Sequence, residues 1–126
     1  MAFSNDAKPT TFVASTDMRS HQNGIVDLTT TDHKIDMAAA GGAIGILINN
    51  PNAGEHAAVA IEGIALVRVG LAVTAGDIIT SAATGWGTDV TSGAAQWVVG
   101  RALTAAASGM LTEVDINIHR VNTGAG

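Results

Sequence analysis

Apolar and polar residues alternate most clearly near the end of the chain. Between residues 110 and 121, apolar side chains occupy one parity, at Val114, Ile116 and Ile118. Charged, amide and imidazole side chains occupy the other parity, at Glu113, Asp115, Asn117 and His119. Because successive side chains of a strand point to opposite faces, this pattern predicts an antiparallel strand with one buried and one hydrated face.

A second alternating segment covers residues 56–69 and is interrupted by Gly63. Residues of one parity are apolar on both sides of this glycine, at Val59, Ile61, Ala65, Val67 and Val69. The spacing predicts a strand pair or one long strand that bends at Gly63. On the other parity, Ile64 and Leu66 lie between the charged residues Glu62 and Arg68. Such a face is typical of a strand that contacts another subunit or a second sheet layer.

The remaining segments are shorter and less regular. GILINN (45–50) is an apolar strand that ends at Asn-Pro, and the glycines of residues 73–93 are typical of corners between strands. Residues 32–42 and 101–109 allow a short helix, although neither pattern is decisive. Residues 69–80 and 99–112 share a V-G-x-A-[VL]-T-A opening. This internal repeat predicts two similar strand-turn-strand units.

Residues 1–31 are polar and lack sustained periodicity, so we expect an extended arm there and a β-rich domain over residues 32–126. The chain's two phenylalanines, Phe3 and Phe12, both lie in this segment, which favours a docking role for the arm. The sequence as a whole predicts a mainly β protein. We expect a compact antiparallel β-barrel or β-sandwich with an extended N-terminal arm and at most one or two short helices.

Composition adds a reason to expect partners. Hydrophobic residues make up 47% of the chain, but aromatic residues make up only 3%, so its core gains little area per buried residue. Charged residues amount to 13%, well below the roughly 25% of an average soluble domain. Small side chains and a weakly charged surface both favour a protein that is partly covered by other subunits.

The net charge of −5 argues against a nucleic-acid-binding protein, because phosphate binding needs clustered Lys and Arg. The six basic residues are instead scattered singly along the sequence. The N-terminus lacks the basic and apolar regions of a signal peptide, and no apolar run approaches the roughly 18 residues of a membrane span. We therefore expect a soluble protein made in a cytoplasm.

Catalytic and metal-binding motifs are missing from the sequence. There is no cysteine, and neither GGAIG (41–45) nor GWG (85–87) matches a phosphate-binding loop. The four histidines lie far apart, and Asp115, Asn117 and His119 lie in a row along one strand face that does not converge easily on an ion. No nucleophile elbow precedes a helix. The sequence predicts no enzyme activity, no metal and no cofactor.

The two tryptophans invite different predictions. Trp97 precedes two valines in an apolar strand and is expected in the core. Trp86 lies between two glycines in a turn, where burial is harder, so core packing and an interface contact are both open.

Three segments in order resemble the capsid cement, or head-decoration, proteins of tailed bacteriophages. They are AIGILINNPNAGEHAAVAIEGIALVRVG (43–70), AVTAGDIITSAATGWGTDVTSG (72–93) and WVVGRALTAAASGMLTEVDI (97–116). The resemblance covers residues 32–121. It implies a non-enzymatic β-domain on the outer surface of the phage capsid, which stabilises the shell where major capsid protein subunits meet. It also implies self-association, with a trimer favoured over a dimer.

This resemblance supplies no contact residues, so physical arguments choose them. We expect capsid contact at Phe3, Lys8, Pro9 and Phe12, and self-association at Ile64, Leu66 and Trp86. The expected partners are the major capsid protein and further copies of this chain, without nucleic acid or membrane. The alternative is a small ligand- or glycan-binding β-module displayed on a virion, which would need exposed aromatic side chains around a concave patch.

Overall fold

The computed structural model describes residues 8–90 and 95–122, and these form strands and loops without a helix. The nine strands are β1 (Lys8–Ala14), β2 (Ile25–Leu28), β3 (Lys34–Met37), β4 (Gly45–Leu47), β5 (His56–Arg68), β6 (Ile78–Ser81), β7 (Gly87–Asp89), β8 (Ala95–Ala102) and β9 (Leu111–Asn122). The mainly β prediction is confirmed. Where a short helix was possible, residues 34–37 form β3 and β8 continues through Ala102, because pairing with neighbouring strands overrides weak local preference.

Five strands close into a small barrel. β1 pairs with β3, β3 with β2, β2 with β4 and β4 with β5, and β5 then pairs with β1 over six residue pairs. Its interior is filled by small and medium apolar side chains: Ala14, Met18, Val26, Ile35, Leu47, Ala57 and Val59. Ring closure confirms the barrel form of the prediction and removes the sheet edges that an open sheet would leave unpaired.

The second half of the molecule is a five-stranded sheet in the order β5-β9-β8-β6-β7. A parallel bridge between Val69 and Gly87 returns β7 to the end of β5, so this sheet also curls almost into a ring. β5 therefore belongs to both halves. Gly63, with φ 93°, lies at the junction, and its conformation is one that other residues rarely adopt. One long strand bent at this glycine is confirmed.

Ile61 departs from the predicted alternation. The sequence places it on the buried parity of β5, but its side chain is exposed, while Val59 and Ala60 are both buried. The register between β1 and β5 shifts between Lys8 and Pro9, opposite this part of β5. The irregular pairing interrupts the alternation at Ala60 and Ile61, and odd-numbered residues face inward again from Ala65 onward. A strict two-residue period cannot anticipate such an interruption.

The N-terminal segment is part of the barrel rather than separate from it. β1 and β2 fall within residues 8–31, and their loop contributes Met18 and His21 to the buried interior. The boundary expected at residues 31 and 32 therefore lies inside one continuous structure, between β2 and β3. Whether this segment also contacts a capsid stays a prediction, and residues 1–7, with Phe3, lie outside the described residues.

The two copies of the internal repeat meet each other. Val73 and Ala106 exchange backbone hydrogen bonds, with N···O distances of 2.9 and 3.1 Å. In the first copy, a turn runs from Thr74 to Asp77, with Gly76 at φ 95°. Asp77 closes this turn by accepting hydrogen bonds from the Thr74 amide and hydroxyl, at 2.9 and 3.1 Å. The glycines near Asp77 are thus corners of the sheet, as the sequence predicts.

Candidate interaction surfaces

The loop that joins β4 to β5 holds the barrel together through its own side chains. Asn49 donates from Nδ2 to the carbonyl of His56 at 3.0 Å and accepts the amide of Ala58 on Oδ1, also at 3.0 Å. Glu55 accepts the amide of Asn52 at 2.6 Å. The stretch NNPNAGE (49–55), within the first resembling segment, therefore has a structural reason: Asn49 and Glu55 bond to the backbone where the chain turns.

Trp86 lies between two side chains rather than in open solvent. Its ring centroid is 4.5 Å from that of His21, at an interplanar angle of 39°, and the guanidinium carbon of Arg68 lies 5.5 Å from the ring centroid. The side chain is half-buried. Core packing thus explains one face of the indole, and self-association through Trp86 stays a prediction.

His21, the other ring of this contact, is buried. Its Nε2 lies 3.1 Å from the carbonyl oxygen of Ile25, and Gly24 and Gly85 cover the ring so closely that a Cβ on either would collide with it. Burial, which disfavours the charged imidazolium, lowers the pKa of His21, against smaller opposing effects of the Ile25 carbonyl and Asp36. The burial of His21 could not be predicted, because its irregular segment shows no pattern of buried residues.

The outer face of the second sheet carries the residues predicted for self-association. Ile64 and Leu66 are half-buried, and their cross-strand partners on β9 are Asp115 and Glu113. Arg101 on β8 lies opposite Asp115. Two shallow hollows of about 250 and 350 Å³ flank this Arg–Asp row. Nothing here converges as a metal site: the described residues hold no group of three or more metal-ligating side chains.

Three of the residues predicted to contact a capsid, Lys8, Pro9 and Phe12, lie on β1. Phe12 is half-buried and packs against the barrel core, whereas Pro9 is exposed. The backbone of Lys8 lies opposite Glu62 on β5. The structure therefore brings Lys8, Pro9 and Phe12 onto one strand beside β5, and packing against the core covers part of the Phe12 side chain.

Trp97 contradicts the prediction of a core residue, since 42% of its surface is exposed. Its backbone is well fixed, because its amide donates to Gly41 at 2.8 Å and its carbonyl accepts the Thr80 hydroxyl at 2.6 Å. The neighbouring residues Gln96 and Val98 point inward. Alternation along β8 therefore turns the indole outward, and an apolar local sequence did not reveal which parity faced the core.

The loops after β5 and β8, residues 69–76 and 103–110, form one end of the molecule, which we call the loop tip. Besides the Val73–Ala106 bridge, Val69 donates to Met110 at 3.0 Å and accepts from Gly109 at 2.7 Å. Ser108 donates its hydroxyl to the Gly70 carbonyl at 2.7 Å. These bonds fix the two loops to each other. The large side chains that the loops expose, Leu71, Leu103 and Met110, are apolar.

Comparisons with known proteins identify a fold. No protein-family model and no curated protein matches the sequence. Among solved structures, the N base of the head fiber gp8.5 of bacteriophage phi29 is similar over 87% of this chain and 93% of that chain, with a TM-score of 0.65 and 18% identity. Among the described residues, no helix has the length and apolar character that a membrane crossing needs. The chain thus has the fold of a phage head-fiber base.

Proposed function

We propose that this chain is a non-enzymatic structural protein of a phage head that binds the outer capsid surface at junctions between major capsid protein subunits and stabilises the shell. The observation that carries the proposal is the fold shared with the phi29 head-fiber base over most of both chains. The ordered motif resemblance to head-decoration proteins supports it independently, since it rests on residues rather than on shape.

The architecture suits a fastening role better than a chemical one. Two small sheet units share β5, and short loops tied by hydrogen bonds join the strands. The two hollows beside the Arg101–Asp115 pair are shallow; the smaller is lined by Arg101, Asp115 and His119, and the described residues hold no group of three or more metal-ligating side chains. Repeated many times over a capsid lattice, modest contacts of such a rigid unit add up to large stabilisation.

Contact with the capsid is assigned to Phe3, Lys8, Pro9 and Phe12, and self-association to Ile64, Leu66 and Trp86. A homotrimer is the proposed oligomer, and its place is the virion, after assembly in the host cytoplasm. Sedimentation of the free protein at micromolar concentrations tests the oligomer. A monomer at all concentrations would contradict self-association without touching capsid binding.

The capsid role is tested on virus heads produced with and without this protein. We expect the purified protein to co-sediment with heads that lack it, at a fixed ratio to the shell subunit, and to raise the temperature at which they release DNA. Heads of unchanged heat resistance that bind no protein would contradict the proposal. Binding of the isolated protein to immobilised glycans, without binding to heads, would favour the ligand-binding alternative, for which the half-buried Trp86 and the exposed Trp97 are candidate aromatics.

A further inference from the structure

The outer face of the second sheet carries a row of residues that are in register across four neighbouring strands. Arg101 on β8 and Asp115 on β9 are cross-strand partners in the middle of this row. Ile78 on β6 lies opposite Arg101, and Ile64 on β5 lies opposite Asp115. This set, which we call the four-strand row, therefore runs from an apolar residue through a cation and an anion to a second apolar residue.

The two central charges of the row do not form an ion pair with each other. The ion pair that forms between described residues joins Arg19 to Asp17 instead. The guanidinium of Arg101 lies beside the turn at Gly76, where an added Cβ would be 3.6 Å from its Nη2 atom. Arg101 and Asp115 are both exposed. Each can therefore pair with an opposite charge on another molecule.

The surface around the row offers apolar contact and carries charges of both signs. Ile78 has 45% of its surface exposed, and Ile64 is half-buried. Shallow hollows of about 250 and 350 Å³ border the two central charges, so a partner can place side chains beside them. Arg68 and Glu113, nearby on β5 and β9, add one charge of each sign. The face therefore has no single-sign field that would repel a second copy.

The order of residues makes the four-strand row complementary to itself. When copies are arranged around an axis along the strands, the β6–β8 half of one row faces the β9–β5 half of the next. Arg101 then meets Asp115 of the next copy, and Ile78 meets Ile64 of the next copy. A purely acidic or purely basic partner would match only half of the row. A second copy matches both halves, with the same contact repeated at each interface.

We propose that copies of this chain associate through the four-strand row, with Arg101 of each copy paired to Asp115 of the next. This inference rests on the self-association in the proposed function and names the contact that produces it. Three copies around one axis would form three identical ion pairs. An exposed ion pair contributes little on its own and is screened by salt. We therefore expect association at micromolar concentrations that weakens as salt is added.

Charge reversal tests this contact. Arg101→Asp brings two carboxylates together at every contact between copies, and Asp115→Arg brings two guanidinium groups together. Sedimentation equilibrium gives the concentration for half-association, and we expect each variant to need at least about tenfold more protein than the wild type. Arg120→Asp is the matched control, because it reverses an exposed arginine on β9 roughly 17 Å along the strand from Asp115. It should stay within about twofold of the wild type.

Mixing the two variants separates contacts between copies from repulsion within one chain. Equal amounts of Arg101→Asp and Asp115→Arg should associate at a lower concentration than either variant alone, because an acidic position 101 then meets a basic position 115. Two dissociated variants that do not re-associate when mixed would place the repulsion inside each chain and overturn the inference. Thermal unfolding checks that each variant is folded. Arg101→Gln and Asp115→Asn, with a smaller expected loss, replace a reversal that does not fold.

The remaining outcomes distinguish this contact from the proposed function. Wild-type protein that associates, with reversal variants that associate equally well, would exclude the four-strand row and leave self-association intact. Wild-type protein that stays monomeric would contradict both the row and self-association. Co-sedimentation with phage heads is measured separately, so either result leaves the test of capsid binding unchanged.

Discussion

The packing of the interior depends on individual side chains, and His21 is the clearest example. In a chain with few aromatic residues, its imidazole and the Trp86 indole form the largest ring contact that the described residues contain. The ring fits only because Gly24 and Gly85 carry no side chain. Gly85, which looked like a plain corner residue in the sequence, is therefore required both by its φ of 83° and by its neighbour.

Gly85→Ala and Gly54→Ala form a matched pair at this scale. Both glycines have a positive φ, 83° and 82°, but an alanine Cβ at Gly85 would lie 2.6 Å from the His21 ring, whereas Gly54 has open space around it. We expect Gly54→Ala to cost about 1–2 kcal/mol for its backbone conformation, and Gly85→Ala to cost about 1–3 kcal/mol more for overpacking. Urea unfolding of both variants measures the difference. Equal free energies of unfolding would mean that His21 moves aside without cost.

At the scale of elements, short strands are held by side chains as much as by pairing. β4 has only three residues, and the chain leaves it through a loop in which the Asn49 side chain bonds to two backbone groups at the start of β5, the His56 carbonyl and the Ala58 amide. The barrel therefore depends on a polar residue that lies outside any strand. Asn49 lies in the first segment that resembles head-decoration proteins, and its two hydrogen bonds give it a role in folding.

Asn49→Ala removes both hydrogen bonds and leaves the Ala58 amide without its partner. We expect a loss of about 1–3 kcal/mol in the free energy of unfolding. Asn50→Ala changes the same residue type one position later, at an exposed site, and should stay within about 0.5 kcal/mol of the wild type. Chemical denaturation of the two variants gives both values, and a similar loss at Asn50 would show that the loop, not these bonds, is sensitive.

Sequence patterns predicted those strands that have one buried face and one solvent-exposed face. β9 and most of β5 were predicted because their alternation extends over many residues. β1 escaped prediction because residues 9–11 are all exposed, so the strand shows no alternation although its backbone is paired along its length. Trp97 was placed wrongly because an apolar stretch does not show which parity faces the core, and Ile61 because the irregular pairing opposite it depends on the partner strand.

The same limit applies to the candidate surfaces. Ile64 and Leu66 were singled out from their own strand and do lie on an outer sheet face. The loop tip was not predicted, because Val73 and Ala106 lie 33 residues apart in the sequence (106 − 73) and only the fold brings them together. Proximity of distant loops is a property of the topology, which local patterns do not contain.

For the whole molecule, the place where the two sheet units meet controls stability. The Ile25 amide donates to Gly85 at 2.8 Å and the Arg68 amide donates to Asn23 at 2.9 Å, so the loop that carries His21 joins the barrel to the second sheet. The buried imidazole lies at this joint in its neutral form. Its protonation is therefore coupled to the integrity of both halves.

Acidification should weaken the protein through this histidine. Burial lowers the pKa of His21 in the folded protein below its ordinary 6.5, so the unfolded chain binds the proton more readily. Its contribution to the free energy of unfolding is complete above pH 6.5 and is lost as the pH falls through the folded-state pKa. Urea unfolding between pH 7.5 and pH 5 should show this loss in the wild type, and His21→Gln should show a smaller one.

An exposed histidine provides the control for that measurement. His56→Gln should keep the full pH dependence of the wild type, since His56 lies on the surface at the start of β5. If His21→Gln loses stability with acid as steeply as the wild type and His56→Gln do, then the imidazole is not the group responsible.

The sharing of β5 between the two halves has a mechanical consequence. β1 and β9 both run antiparallel to β5, along consecutive parts of its length. A force that pulls the two ends of β5 apart is carried along one covalent strand, and it loads the hydrogen bonds to β1 and β9 in shear. Bonds loaded in shear break together rather than one after another, so a protein of this design resists tension along β5 far better than across it.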